Sequence, residues 1–217
     1  MAAAQPRVIV DNAGVGGQNS SEGRERFKRD VLDAHPQVLL LYFGMNDAVN
    51  EAKMLAPEAY AENMAWMVQT ARAAGILPIV STIQHVDATR VLQRHPASVY
   101  GDAGPNGRID QFNLVLRKLA LEQRITLADF EAAFDSAGGP TVEMSTDGVH
   151  LRAEGYALLA RTFLHAIPAD SRQASRIVAL GDSLTYGVPL RTADHDSDKT
   201  YPAVLQRLLN AEARKQP

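Results

Sequence analysis

Residues 38–43 read Val-Leu-Leu-Leu-Tyr-Phe, an apolar run with no polar residue at alternate positions. A strand wet on one face alternates apolar with polar side chains. A continuous run of this length instead fits a strand covered on both faces, the usual state of strands in parallel sheets. Strand-like runs recur at 7–10, 37–43, 76–82, 125–129 and 176–180. Between and after them the apolar spacing changes to the helical period, at 24–34, 57–74, 108–123, 152–166 and 201–214. Gly75 follows the second of these stretches, where a helix-ending glycine is expected. Strands alternating with helices predict an α/β fold whose parallel sheet is covered by helices on both faces. Residues 83–107 mix apolar, Pro and Gly residues without a period and are expected to form a long loop, and the polar stretch 168–175 a linker. A chain of 217 residues suits one such domain, with no internal repeat.

Charge and composition narrow the function classes. The 22 Lys and Arg residues against 25 Asp and Glu give a net charge of -3, with no basic stripe, so nucleic-acid binding has no support. The absence of cysteine excludes disulfides, thiolate metal sites and a cysteine nucleophile. No apolar run is long enough to span a membrane. Residues 1–6 lack the cationic start and apolar stretch of a signal peptide, so the expectation is a cytoplasmic protein.

In parallel α/β sheets, reactive groups gather on the loops at the carboxyl ends of the strands. Four segments are candidates. Gly181-Asp182-Ser183-Leu184 follows the strand 176–180; a strand-to-helix turn there can expose a serine hydroxyl beside backbone N–H groups, although a serine in this position is also an ordinary helix cap. Asn12-Ala13-Gly14-Val15-Gly16-Gly17 follows the strand 7–10. Its glycines let the backbone approach a ligand closely, or simply make a tight turn. It is not a dinucleotide fingerprint, because position 19 is Asn. Gly44-Met45-Asn46-Asp47 follows the strand 37–43 and offers a side-chain amide that can point at an oxyanion or cap a turn. In Thr146-Asp147-Gly148-Val149-His150 a carboxylate three residues before an imidazole can orient it, although Asp and His also serve as metal ligands.

Taken together, these four segments resemble the conserved blocks of the SGNH, or GDSL, hydrolase family, and the resemblance covers essentially the whole chain. It implies a three-layer flavodoxin-like parallel sheet and a serine esterase or acyl hydrolase acting on a small-molecule ester. Ser183 would be the nucleophile and His150 the general base, oriented by Asp147. The Ser183 N–H, the Gly17 N–H and the Asn46 side chain would form the oxyanion hole. No metal or organic cofactor is implied. The substrates suggested are short-chain, aryl or acetylated-carbohydrate esters. An acyltransferase with the same triad and a non-catalytic binding module on the same fold are the alternatives.

The chain departs from the family in block order. The serine block ordinarily comes first, and here it comes last, as in a circular permutation. Residues 1–167 would correspond to the usual C-terminal part, 168–175 to a linker, and 176–217 to the usual N-terminal part. The strand 176–180 should then lie between the strands 7–10 and 37–43, unless the segment completes a neighbouring chain. The stretch 83–107, with His85, His95 and Tyr100, is the expected specificity loop. Asp194-His195-Asp196-Ser197-Asp198 is either a candidate for a cation or an ordinary solvated acidic loop, and Trp66, Met64 and Met67 are expected in the core.

Overall fold

The computed structural model of the protein describes residues 7–214; the signal-peptide reading of residues 1–6 therefore lies outside the described residues. Five strands, β1 (Ile9–Gly14), β2 (Val38–Tyr42), β3 (Leu77–Ser81), β4 (Thr126–Ala128) and β5 (Arg176–Gly181), form one sheet in the order β1-β5-β2-β3-β4. All four pairings are parallel. Counted from β5 as the first strand, the order is the flavodoxin-like 2-1-3-4-5. β5 is paired within its own chain on both sides: Ile177 lies opposite Val10 and Val38, and Gly181 opposite Gly14 and Tyr42.

The helices are α1 (Ser20–Glu25), α2 (Met45–Val49), α3 (Pro57–Ala73), α4 (Ala88–Leu92), α5 (Gly104–Gln123), α6 (Phe130–Ser136), α7 (Ala153–Ala166), α8 (Ser183–Tyr186) and α9 (Tyr201–Ala213). α3 packs against α1 and α5, and α7 against α6 and α9, giving two helical layers. All five residues of β2 are buried, as a strand between two such layers must be. Tyr42 lies at the joint of the α7/α9 layer. Its ring meets Phe163 and Tyr201 edge-on at 6.4 and 6.3 Å, and those two rings stack at 5.3 Å. Aromatic pairs in these geometries add to the area they bury, so α7 and α9, far apart in sequence, are fixed to one strand. Met64 and Met67 are fully buried, and Trp66 packs edge-on against Phe27.

Several expected boundaries are corrected. β1 continues to Gly14 although Asp11 and Asn12 are poor strand formers, because β5 offers it a ladder as far as Gly181. The helix expected at 24–34 starts at Ser20 and gives way to a π-helical turn over Lys28–Leu32. Its start is set by a capping box, in which Asn19 accepts from the Glu22 N–H and Glu22 reaches back to the Asn19 N–H. The stretch 83–107 is not one loop. Asp87 caps α4, a 3-10 turn follows at Ala97–Val99, and α5 begins at Gly104 with Pro105 in its first turn. α6, capped by Asp129, was not expected at all.

The linker 168–175 carries the chain from α7 to β5 through a 3-10 turn at Ala169–Ser171. The two ends of the described chain meet: Asn210 accepts from the Val8 N–H at 3.0 Å and donates to the Val8 carbonyl at 2.9 Å, and Gln206 accepts from the Val10 N–H at 2.9 Å. β5 buries Ile177, Val178, Ala179 and Leu180 completely. Deleting everything after Ala174 would remove an internal strand and uncover the apolar residues packed on it. The 1–174 fragment should therefore aggregate or remain unfolded, as checked by light scattering and near-UV circular dichroism. A monomeric, cooperatively folded fragment would contradict a central place for β5 in the sheet.

Candidate active site

The carboxyl ends of β5, β1 and β2 lie side by side, since Gly181 is level with Gly14 and Tyr42. From β5 the chain turns straight into α8, capped by Asp182, whose Oδ1 accepts from the Leu184 N–H at 2.8 Å. This turn folds back so closely that side chains at the strand ends would collide with it. A Cβ on Gly181 would lie 2.0 Å from Thr185 Oγ1 and 2.5 Å from the Tyr42 carbonyl oxygen, and one on Gly14 would lie 2.1 Å from the Tyr186 nitrogen. The glycines are thus what allow Ser183 to stand at the first position of α8, above the sheet.

His150 reaches Ser183 from a loop 33 residues earlier in the chain. Its backbone is pinned by a tight loop in which the His150 carbonyl accepts from the Thr146 N–H at 2.8 Å and from the Ser145 hydroxyl at 2.9 Å. His150 Nε2 is 3.1 Å from Ser183 Oγ, and His150 Nδ1 is 2.8 Å from Asp147 Oδ2. The other oxygen of Asp147 accepts from the backbone N–H groups of Val149, at 3.0 Å, and His150, at 2.8 Å. Partial burial works against the Asp147 charge. The His150 ring and these N–H donors outweigh it and hold the carboxyl well below the usual carboxylate range. An ionised Asp147 fixes the Nδ1–H tautomer of His150 and leaves Nε2 free to accept the Ser183 proton.

Asn46, on α2, lines the same cavity. Its Oδ1 accepts from Asn50 Nδ2 at 3.1 Å and its Nδ2 donates to the Gln18 carbonyl at 3.0 Å, with Asp182 Oδ2 at 3.5 Å. These partners fix the orientation of the amide. Gly17 is different. It sits in an exposed turn at φ 76° and is not among the residues lining the cavity; only its neighbour Gln18 is bonded to Asn46.

The cavity measures about 160 Å³ and is lined by Met45, Asn46, Val49, Asn50, Arg94, His95, Asp147, Val149, His150 and Ser183. Of the three residues singled out on the segment 83–107, His95 alone lines it. The Tyr100 hydroxyl is buried and donates to the Val49 carbonyl at 2.6 Å. His85 instead bridges Asp110 and Asp135, at 2.9 Å each. In the segment 194–198, Asp196 and Asp198 pair with Arg191 and Arg207.

Three residues beneath the site were not singled out in the sequence. Arg26 is buried, and donates to the Ala13 carbonyl at 2.8 Å, the Gly181 carbonyl at 2.7 Å and Gln18 Oε1 at 2.6 Å. It therefore ties the ends of β1 and β5 to the glycine turn. Asp182 is fully enclosed, and burial pushes its carboxyl up to about 7 against the Leu184 N–H, with the charge of Asp47 adding to the rise. Burial likewise raises Asp47 to about 6, against two hydrogen bonds from Ser20. The sequence signals were slight: an Asp before Ser, an Asp after Asn, and an Arg on an otherwise ordinary helix.

Comparison with known proteins identifies the family. The GDSL-like Lipase/Acylhydrolase family matches residues 1–158, a range that includes Asn46, Asp147 and His150 but not Ser183. The esterase TesA of Pseudomonas aeruginosa is 26% identical over 141 residues, covering 65% of this chain and 60% of that protein. The chain spans less than two thirds of the length of the curated relatives it matches. The crystal structure of a protein assigned as an acylhydrolase, from Bacteroides fragilis, superposes with a TM-score of 0.60 at 25% identity, covering 70% of this chain and 71% of that one. The acetylxylan esterase Axe2 of Geobacillus stearothermophilus shares the fold at a TM-score of 0.57 and 21% identity, over 69% of this chain and 68% of that one. With the family matched over residues 1–158 of 217, the chain belongs to the GDSL-like lipase/acylhydrolase family.

Proposed function

We propose that the protein is a carboxylic ester hydrolase with a Ser183–His150–Asp147 triad working through an acyl-enzyme. The observation that carries this reading is the unbroken run of contacts from Asp147 Oδ2 to His150 Nδ1 and from His150 Nε2 to Ser183 Oγ, at 2.8 and 3.1 Å, opening into a cavity. Ser183 Oγ attacks the ester carbonyl while His150 Nε2 takes its proton. Asp147 stabilises the imidazolium without taking a proton itself. The negative charge on the former carbonyl oxygen is met by the Ser183 N–H at the start of α8 and by the Asn46 amide, while Gly17, whose exposed turn does not line the cavity, is left out of this donor set. His150 then protonates the leaving alcohol. Water, deprotonated by His150, cleaves the acyl-enzyme and restores Ser183. The small cavity and its apolar residues Met45, Val49 and Val149 favour a short acyl group.

In this reading residues 1–217 are a single domain and a circular permutation of the family order. Two observations support it: β5 pairs in cis between β1 and β2, and the family match ends at residue 158, before the serine segment. The contacts of Val8 with Asn210 bring the first and last described segments together. A gene beginning near Ser175, joining Pro217 to Ala2 through a flexible linker and ending near Ala174 should then fold and hydrolyse the same esters. Failure of that gene to give folded protein would argue against the permutation.

Ser183→Ala should keep the fold and lose nearly all hydrolysis of p-nitrophenyl acetate. A fluorophosphonate probe, located by peptide mass spectrometry, should label Ser183 and leave Ser20, Ser21 and Ser145 unmodified. Labelling at any of those serines instead would sink the assignment. Asn46→Ala removes one oxyanion donor and should cost about 2.7–4 kcal/mol of transition-state stabilisation. Steady-state kinetics should show that loss in kcat; a rise in KM alone would make Asn46 a substrate-binding residue.

A further inference from the structure

We propose that Arg94 selects esters whose leaving alcohol carries an anionic group. This inference rests on the hydrolase reading above and names the substrate class of the same site. The first observation is position. Arg94 lines the cavity that holds Ser183, and its Nη1 donates to the Asp147 carbonyl at 2.9 Å. In an acyl-transfer reaction the leaving oxygen departs toward the group that protonates it, here His150, which Asp147 supports. Arg94 is thus tethered on the leaving-group side of the triad, where the alcohol portion of a bound ester would lie.

The second observation is the charge balance at the mouth of the cavity. Arg90, one turn before Arg94, is likewise tied to a backbone carbonyl, that of Thr146 at 2.6 Å. Neither arginine makes an ion pair with a carboxylate of the described residues; each bonds a neutral backbone carbonyl instead. The nearby carboxylates are already engaged. Asp147 accepts from His150 and from two backbone N–H groups, and Glu51 is bonded to His95 Nδ1. A guanidinium carries five N–H donors, of which Arg94 spends one on a neutral carbonyl. The unspent donors suit a carboxylate or a phosphate, the two anions whose geometry a guanidinium matches in pairs of hydrogen bonds. The apolar residues of the lining have no use for such a charge, so the acyl part stays short and uncharged, and the anion belongs to the alcohol.

The test is a set of aryl acetates carrying a meta substituent of different charge, with each kcat/KM divided by that ester's rate constant with hydroxide to remove its intrinsic reactivity: meta-acetoxybenzoate, meta-acetoxyphenyl phosphate, the neutral meta-acetoxybenzamide, and the cationic (meta-acetoxyphenyl)trimethylammonium ion. At low ionic strength kcat/KM should favour at least one of the two anions over the amide by about tenfold, the size expected of a charge-assisted hydrogen bond. It should disfavour the cation. Which anion is preferred separates carboxylate from phosphate recognition. In Arg94→Gln, which keeps a donor for the Asp147 carbonyl, the anion-to-amide ratio should fall to about one. In Arg94→Lys much of the ratio should survive, and added salt should weaken it in the wild type. A wild-type ratio near one, or a ratio that persists in Arg94→Gln, would overturn the proposal while leaving the hydrolase reading intact. Hydrolysis of none of the four esters would instead overturn the hydrolase reading, and this proposal with it.

Discussion

Strand β5 exchanges backbone hydrogen bonds with β1 on one side and β2 on the other, and all three strands end level at Gly14, Gly181 and Tyr42. That shared ending gives the site a floor. A parallel ladder slipped by one residue would turn every side chain of β5 to the opposite face, and would shift Gly181 from the place where only a glycine fits beneath Thr185. Arg26 adds a second constraint at the same level, because one buried guanidinium holds the Ala13 and Gly181 carbonyls together. Register in the sheet and the position of Ser183 are therefore a single structural fact. The distance from Ser183 to His150 then depends on how α7 and its preceding loop dock on the sheet, which the edge-on contact of Phe163 with Tyr42 secures.

The carboxyls around Ser183 divide into two electrostatic kinds. Asp147 is surrounded by donors and stays ionised. Asp182 and Asp47 are enclosed more than they are supplied with donors, and burial raises both. A carboxyl raised in this way binds its proton more tightly in the folded than in the unfolded chain. Its contribution to stability is present at low pH and fades as pH climbs through the ordinary carboxyl range toward the folded-state value, whereas Asp147 contributes with the opposite sign and loses its contribution as pH falls. The neighbourhood of the nucleophile is thus held by groups whose pH responses oppose one another. Asp182 also stands 3.5 Å from the Asn46 amide, so its charge state is felt by a proposed oxyanion donor.

The strands were legible because apolar runs are a local signal, whereas their order in the sheet came from the family resemblance. Continuous apolar runs marked β2 and β5, and motif order implied that the last strand pairs between the first two. Asp147, His150, Ser183 and Asn46 stand on segments that follow strand ends or precede a helix, each of which alone also fits a cap or a turn; the family resemblance singled them out, and the structure brings all four round one cavity. What was missed follows from effects the apolar period does not carry. α6 and α4 are short helices announced by a single capping aspartate, Asp129 or Asp87, and not by a sustained stripe. The capping box at Asn19 and Glu22 was readable, yet the glycines just before it are the stronger local signal and speak only of a turn. β1 outran its apolar residues because tertiary pairing overrode the weak strand preference of Asp11 and Asn12. Arg26 and Arg94 could not be told from surface arginines, since only packing shows which carbonyls they meet. Gly17 remains a block-based assignment, because its turn faces solvent rather than the cavity.

The amides of Gln206 and Asn210 have a consequence for how copies of the chain meet. β1 is an edge strand, and the N–H groups of Val8 and Val10 point away from β5, where a strand from another molecule would ordinarily be welcomed. Two side chains of α9 already occupy those positions and imitate the carbonyls of an absent neighbour. The beginning of this edge is therefore sealed by a helix from the far end of the same sequence. Any event that lifts α9, such as fraying or proteolysis at its last turn, would unmask a template for strand addition as well as loosen a helix, and sheet-to-sheet association would begin at Val8 and Val10.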